Sequence, residues 1–167
     1  MSPISPTDVA PAVSTLVATA SAFLQVYTTL DTEALSRILS DNYVLEFAPT
    51  SMNLPGPLDR DAQLARINSI KDVMSSFPVK TKHIWPNPSL RQVLVWAHSE
   101  TRFFDHLKLS DKEAEWDLKG EYMFLMTMDE SGEKIEHVLE FLDSKATGNI
   151  VLAVGKAMEK KKSLDVN

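Results

Sequence analysis

DLKGEYMFLMTMDESGEKIEHVLEFLDS, residues 117–144, reads as two long strands joined by a tight turn. The first run, Glu121 to Met128, is almost wholly apolar or aromatic, as in a central strand covered on both faces. Asp129-Glu130-Ser131-Gly132 supplies turn chemistry, with Gly132 free to take a positive φ. The second run, Lys134 to Asp143, sets His137, Glu140 and Asp143 among apolar residues, and polar groups so placed need a partner or a job. A lone hairpin is marginal in water, so the rest of the chain must cover it.

Upstream, Gln92 to Phe104 alternates. Val93, Val95, Ala97, Ser99 and Thr101 share one face; Leu94, Trp96, His98, Glu100 and Arg102 share the other. Val79 to Trp85 is a further strand, closed by Pro86-Asn87-Pro88. Before Pro78 the period becomes helical. Asp8 is placed to cap a helix to about Leu30, with Val13, Leu16, Val17, Ala20, Leu24 and Tyr27 on one apolar face. Asp31-Thr32 starts a second helix with Leu35, Ile38 and Leu39 inward, and Arg37 beside that face. Tyr43 to Ala48 is a strand carrying Glu46, Pro49 to Pro57 a loop, and Asp59 to about Phe77 a third helix stopped by Pro78. Residues 105–115 form a polar loop. Residues 145–167 are a terminal helix or tail whose lysines suit a helix C-terminus, and residues 1–7 a loose arm.

Helices followed by a curved antiparallel sheet make an α+β cone within one domain, consistent with 167 residues, no internal repeat and no linker. The helices close one sheet face over a pocket; the other face needs cover, most simply from a second copy, so a homodimer is expected. Hydrophobic residues at 44% and charged residues at 24% mark a folded, globular chain. A net charge of −6 argues against a nucleic-acid partner. Without cysteine there is no disulfide, thiol nucleophile or cysteine-ligated metal. No apolar run approaches the roughly 20 residues of a membrane span, and no signal-peptide pattern opens the chain. The default expectation is a cytoplasmic protein. No glycine-rich phosphate loop, dinucleotide fingerprint or nucleophile elbow is present.

The hairpin, GEYMFLMTMDESGEKIEHVLEFLDS, resembles the fungal secondary-metabolism subgroup of the nuclear-transport-factor-2-like (cystatin-like), SnoaL-like fold. Members of that subgroup show an Asn-Glu-Tyr strand, then Lys-Ile, then Glu-Phe-Val-Asp-Ser. SRILSDNYVLEFAPTSM, residues 36–52, is similar to the same subgroup's Arg-Ser-x-x-Cys segment followed by Pro-x-Ser. The likeness covers most of residues 20–148. Gly120 stands in place of the Asn before Glu-Tyr, Tyr43 lies near the position of a Cys, and the aromatic before Glu-Tyr is displaced to Trp116.

The resemblance implies a cofactor-independent isomerase or cyclase acting on a hydrophobic natural-product intermediate of polyketide, meroterpenoid or alkaloid biosynthesis. It assigns the chemistry to an Arg on the second helix, a Tyr on the Glu-Tyr strand and a Glu on the last strand, here Arg37, Tyr122 and Glu140. A carboxylate in an apolar pocket moves protons, a guanidinium holds an oxyanion, and a phenol donates to a carbonyl. The candidates for substrate contact are Tyr27, Glu46, Met52, His83, Trp85, His98, Trp116 and Glu121. Each has a plainer reading. Arg37 pairs with Glu33 on a solvated helix face, Tyr122 is a core aromatic, Glu140 faces solvent, and Glu121 is a structural acceptor for the first helix. His98 and Glu100 share a strand face, but two ligands make no metal site, and no metal or other cofactor is expected. Two function classes stay open: the enzyme, and a ligand-binding or dimerising module of the same fold. His83 supports a narrower, scytalone-dehydratase-like alternative.

Overall fold

The computed structural model describes residues 10–166; the arm at 1–7 and the capping role of Asp8 lie outside the described residues. Helix α1, Val13–Thr29, starts at Ala12 and buries Leu16, Ala20, Phe23, Leu24 and Tyr27 along one face. It ends where buried Leu30 turns left-handed and its N–H reaches the Val26 carbonyl. Asp31 caps α2, Thr32–Ile38, accepting from the Glu33 and Ala34 amides. Leu39 then opens strand β1, Leu39–Ala48, instead of ending the helix.

After the two-residue strand β2, Leu58–Asp59, Asp59 caps α3, Arg60–Lys71. This helix stops six residues short of the Phe77 expected from sequence. Val73 and Met74 are buried, and Met74–Ser76 leaves the helix as β3 to pair with β6, Arg102–Phe103. Tertiary pairing there outweighs a weak local preference. Strands β4, Val79–Asn87, β5, Gln92–Glu100, β7, Lys119–Met128, and β8, Ile135–Leu142, complete the main sheet.

Its order is β2-β1-β8-β7-β5-β4. All neighbours are antiparallel except β1 and β8, which run parallel. The expected alternation on β5 holds: Val93, Val95, Ala97 and Ser99 are buried, their neighbours half-buried. Strand β7 alternates too. Tyr122, Phe124, Met126 and Met128 face the helices, while Met123 and Leu125 stay partly open on the outer face, so the single chain does not cover both sides. Gly132 takes φ +77 in the hairpin turn. Its carbonyl accepts from Thr19 Oγ1, and a β-carbon there would come within 2.7 Å of Pro11, so α1 is pinned to the turn.

The last element is α4, Ser144–Asp165, capped by Asp143. Thr147, Ile150, Ala153 and Ala157 form its buried stripe. Lys161 ties its C-terminal end to Asp72 at the end of α3, at 2.8 Å. The helix thus lies across the gap between α3 and the sheet. Among the described residues, no helix is long and apolar enough to cross a membrane.

Candidate active site

Strand periodicity puts Glu140 on the inward face of β8, opposite Phe124 of β7 and Phe47 of β1. It is 1% exposed, and among the described residues no other acidic side chain is buried. Its partner comes from α3. Gln63, Arg66, Ile67 and Ile70 follow at three- and four-residue spacings, and this face turns toward the sheet.

Arg66 meets Glu140 with both prongs, Nη1 to Oε2 at 3.1 Å and Nη2 to Oε1 at 3.2 Å. The Arg66 carbon lies 4.9 Å from the centre of the Phe47 ring. Nη1 also donates to the Tyr27 hydroxyl at 3.3 Å, which accepts from Gln63 Nε2 at 3.3 Å. Burial opposes the charge on Arg66, but the Glu140 carboxylate more than offsets it, and the guanidinium pKa is raised.

The neighbouring phenols are all held neutral. Burial pushes Tyr27 up to about 12, the nearby Arg66 pulling the other way. Burial likewise raises Tyr122 to about 12, against the hydrogen bond it shares with Ser99. Tyr43, behind them, is pushed up by burial first and then by Tyr27 and Glu140. The Tyr122 hydroxyl lies 3.0 Å from Ser99 Oγ. Gly120, directly across from Ser99, makes room for that contact: a β-carbon there would sit 2.9 Å from the Tyr122 oxygen. The glycine found in place of the subgroup's asparagine therefore has a local steric reason.

Arg66 and Tyr122 open onto a cavity of about 230 Å³. Its other walls are mainly apolar: Ile70, Met74, Phe77 and Leu142, with Ile150, Val154 and Met158 of α4 as the roof. Ser69 and Val151, both exposed, mark the mouth. Glu140 lies behind Arg66 and does not line the space. A larger open groove of about 740 Å³ beside α1 and β4 is edged by exposed Ser21, Gln25, Lys80 and Arg102 and contains no buried ionisable group.

The candidates from sequence separate along strand phase. Glu140 and Tyr122 have the inward phase, and Tyr27 joins them from α1. Arg37 does not. It is exposed at the end of α2, its carbonyl accepting from Lys134 Nζ, and the arginine facing Glu140 is Arg66. Glu121 precedes Tyr122 and so points outward, pairing with Lys82 and accepting from Trp96 Nε1. His83 is exposed and stacks between Trp85 and Trp96, with ring centres 5.5 Å apart in each case, so it offers the cavity nothing. Trp85 and half-buried His98 share that outer face, and Glu100 pairs with Lys80 and Arg102. Exposed Glu46 binds His137 at 2.7 Å, also outside. Met52, half-buried in the turn after β1, does not reach the cavity. Trp116 is a buried core aromatic, edge-on to Phe103 at 5.1 Å. Among the described residues, no group of three His, Asp or Glu side chains is arranged to hold a metal.

Sequence reasoning missed Arg66 and Gln63. The available signal was their position on the same stripe of α3 as Ile67 and Ile70, where a polar residue needs a buried partner.

The α+β cone defines the fold class, and comparison with solved structures agrees on the fold. A SnoaL-like polyketide cyclase from Shewanella denitrificans superposes with a TM-score of 0.63 at 10% identity, covering 83% of this chain and 97% of that one. The fold is therefore nuclear-transport-factor-2-like and SnoaL-like. Proteins of fungal biosynthetic pathways are among the chains this one is similar to. An austinoid biosynthesis cluster protein H from Aspergillus calidoustus is 25% identical over 133 residues, spanning 77% of this chain and 83% of that protein. The BvnE pinacolase of Penicillium brevicompactum superposes with a TM-score of 0.71 at 18% identity, covering 91% of this chain and 95% of that one. No family model matches the chain.

Proposed function

We propose that this protein is a secondary-metabolism enzyme of isomerase or cyclase type, working by acid/base chemistry on a hydrophobic intermediate without a cofactor. The observation that carries the reading is the two-pronged Arg66–Glu140 pair, with half-buried Arg66 lining an apolar cavity and buried Glu140 directly behind it. A buried ion pair is poor value for stability alone, since apolar residues of similar volume often do as well. Its position suits chemistry better. Arg66 and the neutral Tyr122 phenol present donors to the cavity, where charge developing on a substrate oxygen would be stabilised in a low-dielectric setting. Glu140 fixes the plane and charge of Arg66 and is the buried carboxylate nearest the cavity for proton movement. The austinoid-cluster and pinacolase relatives support the same general class. The dehydratase alternative loses its basis, because His83 lies on the outer face.

The test is genetic and chemical. Deleting the gene in its native host should accumulate a compound of the same mass as the missing product, as rearrangement or cyclisation without loss of atoms requires. Wild-type protein should convert that compound and Glu140→Gln should not. A compound heavier by one water would point to dehydration. An unchanged metabolite profile would leave only the binding module.

A further inference from the structure

The cavity's size and the kind of polar groups it presents say more about the ligand than the fold does. Its volume is about 230 Å³. An apolar cavity of about 150 Å³ holds benzene, and pockets for drug-sized ligands start at about 300 Å³. The space therefore fits one or two rings.

The polar lining is Arg66, Ser69, Tyr122 and Thr147, with every other wall apolar. Ser69 sits at the mouth with its hydroxyl donating to the Ala65 carbonyl. Arg66 only donates, and three acceptor contacts, two on Glu140 and one on Tyr27, leave it N–H capacity to spare. Tyr122 shares its hydroxyl with Ser99. Thr147 stands on the roof with a buried hydroxyl that meets no partner among the described residues. Among the described residues, no carboxylate or imidazole lines the cavity to receive a ligand N–H or bind a cation. Arg66 thus supplies donors only, the Tyr122 and Thr147 hydroxyls can donate to an oxygen, and apart from Ser69 at the mouth the rest of the described lining is hydrocarbon.

Resting on the reading above that this is the reacting site, we propose that the substrate, or the part of it that reacts, is a compact one- or two-ring molecule. It is largely hydrocarbon and carries one acceptor oxygen, a carbonyl or an alkoxide, directed at Arg66 and Tyr122 with Thr147 opposite. A four-ring skeleton exceeds what a cavity of about 230 Å³ encloses.

Three probes test this by calorimetry on the whole protein: 1-tetralone, with two rings and one carbonyl; tetralin, the same skeleton without the oxygen; and progesterone, a four-ring ketone. Tetralone should bind at least tenfold more tightly than either. Val154→Trp, which fills the roof, should abolish tetralone binding. Arg66→Met combined with Glu140→Leu, an uncharged replacement chosen to keep the fold, should bring tetralone down to the level of tetralin. Equal binding of tetralin and tetralone by wild type would overturn the acceptor claim, and tighter binding of progesterone would overturn the size claim. Absence of binding by all three, with Glu140→Gln still inactive in the native host, would reject this substrate class and leave the proposed function standing. Tetralone binding alongside a fully active Glu140→Gln would do the reverse.

Discussion

Arg66 and Glu140 lie 74 residues apart in sequence and join through two hydrogen bonds, at 3.1 and 3.2 Å, with Glu140 buried and Arg66 half-buried at the cavity. Each makes the other's burial tolerable. Removing one partner strands a charge, whereas removing both strands none. Arg66→Met alone should therefore cost about 3–5 kcal/mol, and the double variant Arg66→Met/Glu140→Leu should recover most of that loss. Urea unfolding of the two variants checks it; a double variant as unstable as the single would mean the pair is more than a mutual compensation.

The three tyrosines of the chain, Tyr27, Tyr43 and Tyr122, are all buried with pKa values pushed up. An unfolded tyrosine ionises near pH 10. The folded protein keeps these protons, so the stability they contribute is complete below pH 10 and is lost as pH rises from 10 through about 12, the value for Tyr27 and Tyr122. Ultraviolet titration should show no tyrosinate near pH 10 while the fold persists, then a cooperative rise on alkaline unfolding. A third of the full tyrosinate signal titrating with a midpoint near pH 10 in folded protein would show one phenol to be exposed.

Gly120→Ala places a β-carbon against the Tyr122 oxygen and forces that ring away from Ser99. The fold should survive with a lower melting temperature, and turnover should fall about tenfold through the misplaced donor. Ser99→Ala, which removes the same hydrogen bond without adding bulk, should lose less. Equal activity of both variants and wild type would remove Tyr122 from the site.

On the outer sheet face, Trp85 and Phe141 are 47% and 51% exposed, with Trp96, Met123 and Leu125 half-buried beside them. We propose that a second copy covers this face, sheet against sheet. Light scattering should give a dimer at micromolar concentration, and Trp85→Glu should give a folded monomer. A wild-type monomer at that concentration would reject the interface.

Much of this fold was legible in the chain. The alternation of β5, the Asp129–Gly132 turn and the Asp31 cap are local signals that tertiary structure left in place, whereas β7, an apolar run that suited burial on both faces, covers only one. The end of α3 was not, because β3 exists only through its pairing with Arg102 and Phe103. Parallel pairing of β1 with β8 joins distant segments and leaves no local mark. In the site, Glu140 and Tyr122 come from the same resemblance as Arg37, with the apolar neighbours of Glu140 as added support; the inward strand phase of both is what the structure adds. The partner arginine was sought on α2 by resemblance, although the stripe Gln63, Ile67 and Ile70 already gave Arg66 an inward phase. The outward candidates, Glu121, His83, Trp85 and His98, show how far a one-residue change of phase moves a side chain: to the other side of the sheet.

The most direct measurement is turnover of the accumulated host intermediate by purified Glu140→Gln, Arg66→Lys and Arg37→Gln, each first shown folded by circular dichroism. The buried pair as the working centre predicts a loss of about 10²-fold or more for Glu140→Gln. It also predicts clear impairment for Arg66→Lys, which keeps charge but loses the planar fork, and wild-type rates for the exposed Arg37→Gln. Wild-type turnover by Glu140→Gln, or a collapse confined to Arg37→Gln, would contradict it.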